Sequence, residues 1–274
     1  MHFLYNLLVN TTEKLLPLSG RFSEKLGRFT EGRKRLFEQL ASQVSPEDKT
    51  IWIHAASLGE YEQAVPVIQK LKQIFPKHKI VLSFFSPSGY DVKKNNSLAD
   101  VVTYLPLDTK QNAEKFLDLV HPEWVFFVKY EFWPNFLQTL KNRKIRNLLI
   151  SGVFREDQLF FKPYGKWMQK YLGAYEFFFL QNKQSFELLQ KIGFKNATVS
   201  GDTRYDRVTA QREQDNRLNF IEEFLQDKLC VVAGSTWPED EELLVDAINA
   251  SGKEVKFIIA PHALKPEKIK NLQE

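Results

Sequence analysis

Residues 51–69 read IWIHAASLGEYEQAVPVIQ, and this stretch decides the fold. Ile51 to Ala56 is apolar enough for a buried strand, whereas Val65, Ile68 and Leu71 recur at helical spacing. A strand therefore passes into a helix through Ser57-Leu58-Gly59-Glu60. In open α/β sheets ligands bind outside the carboxyl ends of the strands, so Glu60 stands where chemistry is expected. Gly59 is read as the residue that lets the backbone turn sharply before it.

The same alternation extends outward. Apolar runs at 79–85, 100–104, 124–128, 147–151 and 177–181 read as further strands, with helices between them that include 63–74, 112–120 and 132–140. That makes about six strands before residue 200, and alternating strands and helices imply a parallel sheet covered on both faces. The polar, turn-rich segment 200–212 reads as a linker into a second α/β unit with strands at 229–233 and 255–260. Two strands and three helices make a poor independent domain, so the second unit is expected to be incomplete.

Composition narrows the function. The chain has 274 residues, 43% hydrophobic and 26% charged, as a soluble, well-cored protein would. Its single cysteine, Cys230, lies in the apolar run LCVVAG; it is expected to be buried and fits a reducing compartment. The net charge is +4, and a band of Arg21, Lys25, Arg28, Arg33, Lys34 and Arg35 against Glu24 and Glu31 accounts for all of it. A local basic band argues for one anionic surface rather than for nucleic acid. Residues 3–18 (FLYNLLVNTTEKLLPL) are too short and too polar to span a bilayer and lack the basic start of a signal peptide. They read either as a helix packed on its own domain or as one lying on a membrane, and the adjoining cations favour an anionic lipid surface.

Four turns fall at strand ends or helix starts: SLGE (57–60), KYEFWPN (129–135), GSTWPEDEE (234–242) and APHALKPE (260–267). Together they offer acids and backbone N–H groups that suit a phosphorylated ligand and acid–base chemistry. Taken singly, each has a plain alternative. Glu60 could be a solvated carboxylate favoured by the helix dipole. Glu131, flanked by Tyr130, Phe132 and Trp133, is enclosed by aromatic residues and so needs a partner or a job. Ser235 and Thr236 suit a helix N-cap as well as a phosphate. His262 could be a surface histidine, and Glu239 to Glu242 a solvated first helical turn. No P-loop, no G-x-G-x-x-G and no zinc-ligand spacing occurs.

At these turns the sequence resembles the 3-deoxy-D-manno-octulosonate (Kdo) transferases of lipopolysaccharide synthesis, in their Bacteroidetes-type form. The resemblance rests on Ile51-Trp52-Ile53-His54 with Ser57-Leu58-Gly59-Glu60, on Ser86-Pro87-Ser88-Gly89, and on Tyr130-Glu131-Phe132-Trp133-Pro134-Asn135. It continues through Gln181-Asn182, Gly201-Asp202-Thr203-Arg204-Tyr205-Asp206 and Ala233-Gly234-Ser235-Thr236-Trp237.

The resemblance implies a GT-B glycosyltransferase of two Rossmann-like domains. Residues 1–20 would form an amphipathic membrane-proximal helix, 21–200 the acceptor domain and 201–274 the start of the CMP-sugar domain. Glu60 would be the general base that takes the proton from a primary hydroxyl of a lipid A precursor as that oxygen attacks the anomeric carbon of Kdo, with CMP leaving and configuration inverting. Ser57, Gly59, Ser86, Ser88 and Glu131 would line the acceptor cleft, and Arg204, Ser235, Thr236 and His262 would bind the donor. CMP-Kdo enters as substrate, without a cofactor or metal, at the cytoplasmic face of the inner membrane.

Where family members have Pro-Arg-His-Pro, this chain has Pro261-His262-Ala263-Leu264. The family's Gly-Gly-His-Asn and Glu-Pro motif lies beyond residue 274, so the chain is expected to be truncated and inactive alone. The alternatives are another GT-B enzyme, a UDP-sugar transferase or epimerase, or a non-catalytic membrane-associated domain.

Overall fold

A computed structural model describes residues 1–19, 24–251, 254–264 and 266–273. The chain divides into two compact units, Met1–Ala210 and Gln211–Glu274. The first unit is built on seven parallel strands: β1 (Lys49–His54), β2 (His78–Phe84), β3 (Val101–Tyr104), β4 (Pro122–Val128), β5 (Arg146–Gly152), β6 (Phe177–Leu180) and β7 (Ala197–Val199). Their order is β3-β2-β1-β4-β5-β6-β7, with every neighbouring pair parallel. The sheet thus winds outward in both directions from the β1/β4 boundary, which is the switch point where such folds open a crevice. β7 is the strand missing from the sequence reading: three residues, Ala-Thr-Val, are too short to give a periodic signal.

The helices of this unit are α1 (His2–Ser19), α2 (Glu24–Glu31), α3 (Leu36–Gln43), α4 (Leu58–Ile74), α5 (Pro87–Lys93), α6 (Lys110–Val120), α7 (Pro134–Asn142), α8 (Lys166–Leu172), α9 (Lys183–Lys191) and α10 (Arg204–Arg212), the last crossing into the second unit. Strand side chains alternate between the two faces. Ile51 and Ile53 enter the core beneath α4, with Ala64, Val65, Ile68, Ile80 and Leu82. Trp52 points the other way, into a core with Phe116, Phe127, Phe136 and Leu140 from α6, β4 and α7. Burial on both faces is why β1, β2 and β4 read as near-continuous apolar runs.

The second unit comprises α11 (Asn219–Leu225), β8 (Leu229–Thr236), α12 (Pro238–Ser251), β9 (Val255–Pro261) and α13 (Pro266–Gln273), with β8 and β9 paired in parallel. Cys230, expected to be buried, is half-exposed on β8. Its strand neighbours Leu229 and Val232 are largely exposed too, because this unit leaves most of β8 uncovered.

α1 packs in an unexpected sense. Its inward face carries His2, Tyr5, Asn6 and Glu13, which hydrogen-bond to Asp108, Asn112 and Asn135. Its outward face carries Phe3, Leu4, Leu7, Leu8 and Leu15, with Phe3 76% and Leu8 67% exposed. One face thus packs on its own domain, as the first reading of this segment has it, and the other leaves its apolar residues exposed. No helix among the described residues is long and apolar enough to cross a membrane.

The basic band beside α1 is less available than its sequence suggests. Arg33 turns inward and donates to the carbonyls of Leu105 (2.9 Å), Phe29 (3.0 Å) and Phe85 (2.7 Å), with its guanidinium 3.6 Å over the Phe29 ring. Burial lowers its pKa to about 9, although Tyr104 pulls it back up. Three carbonyls and an aromatic face replace its lost hydration. Lys34 pairs with Glu31 and Arg35 with Glu38. Arg21 and the side chains of Glu24 and Lys25 lie outside the described residues.

Candidate active site

Three turns converge at the β1/β4 switch point. After β1 the chain enters α4 with Ser57 as N-cap and Glu60 at the third helical position, the two members of a capping box. Glu60 Oε2 accepts the Ser57 N–H at 3.0 Å. After β2, the Ser86 N–H donates to the Ala56 carbonyl at 2.8 Å and ties the second turn to the first. Gly89 permits this approach, since a Cβ there would meet the Phe84 ring at 2.5 Å and the Leu58 backbone nitrogen at 3.2 Å. Ser86 and Ser88 share a hydroxyl hydrogen bond of 2.8 Å and, with Arg28, Pro87 and Asp91, line one cavity.

The third turn, after β4, supplies Glu131. Glu131 is 6% exposed and its partner is His54, fully buried at the end of β1: Nε2 lies 2.9 Å from Glu131 Oε2. The Trp133 indole N–H donates to the same oxygen at 2.5 Å, and Tyr175 Oη donates to the Glu131 carbonyl. On its other side His54 Nδ1 is 2.8 Å from Ser83 Oγ, which also receives the Trp52 indole N–H at 2.7 Å. Nδ1 also lies 3.1 Å from the Ser83 carbonyl, so the imidazole is held between Ser83 and the Glu131 carboxylate, whose oxygen can accept the Nε2–H.

Glu131 therefore has the partner that its aromatic enclosure demanded. His54 was present in the quoted stretch but not singled out, because nothing in sequence joins it to a residue 77 positions away.

Glu60 is not a freely solvated carboxylate. Burial raises its pKa above the ordinary 4.5, and the nearby charge of Glu131 raises it further. His54 and the N–H groups of Ser57 and Ala56 oppose the shift without cancelling it. A carboxylate disfavoured as an anion is a stronger proton acceptor, as a general base needs to be. Lys129 (φ 70°) and Ser151 (φ 49°), at the ends of β4 and β5, hold left-handed backbone on the same rim, where strain commonly marks functional turns.

Gly59 corrects an expectation. Its φ is not left-handed and it sits inside the first turn of α4, so the turn does not require glycine. A Cβ there would meet nothing within 4 Å, which leaves open space next to Glu60. Gly59→Ala is accordingly expected to stabilise the fold by about 0.5–1 kcal/mol, since alanine is the better helix former. If the acceptor uses that space, the same change lowers turnover; thermal melts and assays on one preparation separate the two effects.

The donor-side candidates fall in two places. Arg204 belongs to the first unit, where Asp202 Oδ2 holds its guanidinium at 2.6 and 2.9 Å. Partial burial tends to raise the Asp202 pKa, but hydrogen bonds from Arg204 and Gln63 outweigh it and set it at about 2. Thr203 Oγ1 donates to the Gln63 carbonyl at 2.6 Å and lies 2.8 Å from Ser151 Oγ, so this loop is clamped between α4 and β5.

In the second unit Ser235 Oγ and His262 Nδ1 are 3.0 Å apart, and the His262 ring stacks on Trp237 at 4.5 Å. Thr236 Oγ1 donates to Glu241, and the Trp237 N–H to Asp240, so residues of the acidic first turn of α12 already cap its start. Among the described residues no group of three or more His, Cys, Asp or Glu side chains could hold a metal ion.

Residues 20–207 match the sequence model of the family described as 3-Deoxy-D-manno-octulosonic-acid transferase (kdotransferase). The chain belongs to that family. Among Kdo transferases it is 26% identical over 263 residues to the 3-deoxy-D-manno-octulosonic acid transferase of Haemophilus influenzae, covering 90% of this chain and 59% of that protein. It is 25% identical over 235 residues to a bifunctional glycosyltransferase/methyltransferase of Fusobacterium nucleatum, covering 82% of this chain and 36% of that one.

The chain thus spans about half the length of the curated relatives it matches. A solved UDP-GlcNAc 2-epimerase from Neisseria meningitidis, bound to UDP-GlcNAc, superposes with a TM-score of 0.59 at 15% identity, over 82% of this chain and 68% of that one. At that identity the likeness shows the fold alone, and it agrees with the Rossmann-like GT-B class read from the sequence. The Kdo transferase family region ends at residue 207, within α10 and close to the unit boundary at Ala210.

Proposed function

We propose that this chain is the acceptor side of an inverting glycosyltransferase that moves Kdo from CMP-Kdo to a lipid A precursor, with Glu60 as general base. The observation that carries this is the Glu60 carboxyl, held at the switch point by the capping box and made more basic by burial and by Glu131. In the reaction a primary hydroxyl of the acceptor attacks the anomeric carbon of Kdo. The oxygen–carbon bond forms as the bond from that carbon to the CMP phosphate breaks, with its electrons leaving on CMP. The hydroxyl proton passes to Glu60, which must lie ~2.6–3.2 Å from the attacking oxygen.

His54, Trp133 and Tyr175 fix Glu131 in place, so its charge acts on Glu60 from a set position. Arg204, Ser235, Thr236 and His262 would serve the donor, and Ser86 and Ser88 the acceptor headgroup. The outward apolar face of α1 supports a peripheral seat on an anionic bilayer, at the cytoplasmic face of the inner membrane where such an acceptor is met. No cofactor or nucleic acid has a part in this scheme.

Release of CMP from CMP-Kdo in the presence of lipid A precursor tests the reading, measured on the 274-residue chain and on a family-length polypeptide that carries it. A family-length enzyme that consumed a UDP-sugar and ignored CMP-Kdo would overturn it.

A further inference from the structure

α1 is joined to its unit by a polar network that ends at the Glu131 turn. Tyr5 Oη donates to Asp108 Oδ2 at 2.6 Å. The same Asp108 oxygen accepts the Asn135 N–H at 3.0 Å, while Oδ1 accepts the Phe136 N–H at 2.9 Å. The side chain of Asn135 donates to Asn6 Oδ1 at 2.8 Å and to the Asp108 carbonyl, and its Oδ1 lies 3.3 Å from His2 Nε2. One buried carboxylate therefore caps the first turn of α7 and holds α1 at the same time.

α7 begins at Pro134, three residues after Glu131, and between them the Trp133 indole returns to the Glu131 carboxylate. Burial pushes the Asp108 carboxyl up to about 6 even though Tyr5 and the two N–H groups pull it down, so the anion is kept there at a cost.

The bed under α1 is incompletely paired. Among the described residues the Trp167 indole nitrogen and the Tyr171 hydroxyl are buried without hydrogen-bond partners. Their rings contact Tyr5 and His2 at centroid distances of 6.2 and 5.5 Å. A helix with its apolar residues outward, resting on polar groups that are not all satisfied, is anchored by few specific bonds rather than by a packed core.

We propose that Asp108 is a positioning residue that couples α1 to the Glu131 turn, so that seating the apolar face of α1 on a bilayer is sensed at the carboxylates beside the acceptor. The bilayer half of this rests on the reading of α1 given above; the mechanical link does not.

Hydrogen exchange on the 274-residue chain tests both halves. Tyr5→Phe keeps the ring against Trp167 and removes only the donor to Asp108. In solution it is expected to speed exchange of the Asn135 and Phe136 amides about tenfold, as loss of a bond to a charged acceptor would, while β5 amides stay unchanged. Vesicles of phosphatidylglycerol and phosphatidylethanolamine should slow those two amides in the wild type. In Tyr5→Phe the slowing should vanish although the protein still floats with the vesicles.

Equal rates in solution for wild type and Tyr5→Phe would overturn the link. Protection by vesicles that persists undiminished in Tyr5→Phe, or that never reaches residues 135–136 in the wild type, would overturn the coupling. A wild-type chain that fails to float would overturn the bilayer half and leave the solution rates to judge the link.

Discussion

Glu60→Gln is expected to lower turnover about 10²–10⁴-fold in a family-length transferase carrying this unit, the usual contribution of a positioned general base. Glutamine is the informative replacement because it retains the structural role. At the third position of a capping box it can still accept the Ser57 N–H through its amide oxygen, so α4 keeps its start and the fold its stability. The ability to take a proton is what disappears.

Binding of acceptor and of CMP-Kdo should therefore change little while kcat collapses, the pattern of an interaction needed in the transition state. A Glu60→Gln enzyme with near-normal kcat would remove Glu60 as the base. With Glu60 as the proposed base, its raised pKa is expected to put the acid limb of kcat/KM above the ordinary 4.5, because a protonated carboxyl could not take the hydroxyl proton and activity would return as pH rises through the shifted value.

The second large effect concerns Glu131. Truncation to alanine leaves the His54 Nε2–H and the Trp133 indole N–H as buried donors without their acceptor, which is expected to cost about 2–5 kcal/mol of stability in denaturant titrations. Glu131→Gln preserves shape and one acceptor but removes the charge that raises the Glu60 pKa. Its acid limb should consequently move to lower pH than in wild type. A limb that stayed put would show that the Glu131 charge does not reach Glu60, and a stability loss below 1 kcal/mol for the alanine variant would show that the His54 pair is not holding the turn.

The strands were legible because a parallel sheet buried on both faces writes itself as unbroken apolar runs, and β1 is the clearest case. Ser57 and Glu60 were legible as the start of α4, since helix-start chemistry is local. The pairing of His54 with Glu131 was not, because it depends on β1 and β4 becoming neighbours, a consequence of strand order rather than of either segment. Glycine before an acid suggests a backbone demand, whereas the φ of Gly59 is not left-handed and the space it leaves lies beside Glu60. Arg33 was counted as surface charge, yet the ring of Phe29 and three carbonyls draw it inward. The sense of α1 was open: its apolar and polar faces could be read, but not which one the domain would claim.

That inverted helix has a consequence for handling the protein. In buffer without lipid, Phe3, Leu4, Leu7, Leu8 and Leu15 form a ready contact for a second copy, so concentrated stocks should self-associate through this strip. Cutting away residues 1–19 would remove that strip and uncover a bed that includes polar groups of Asp108, Asn135, Trp167 and Tyr171. The shortened chain should accordingly be the more soluble one, an outcome opposite to that of removing an ordinary packed helix.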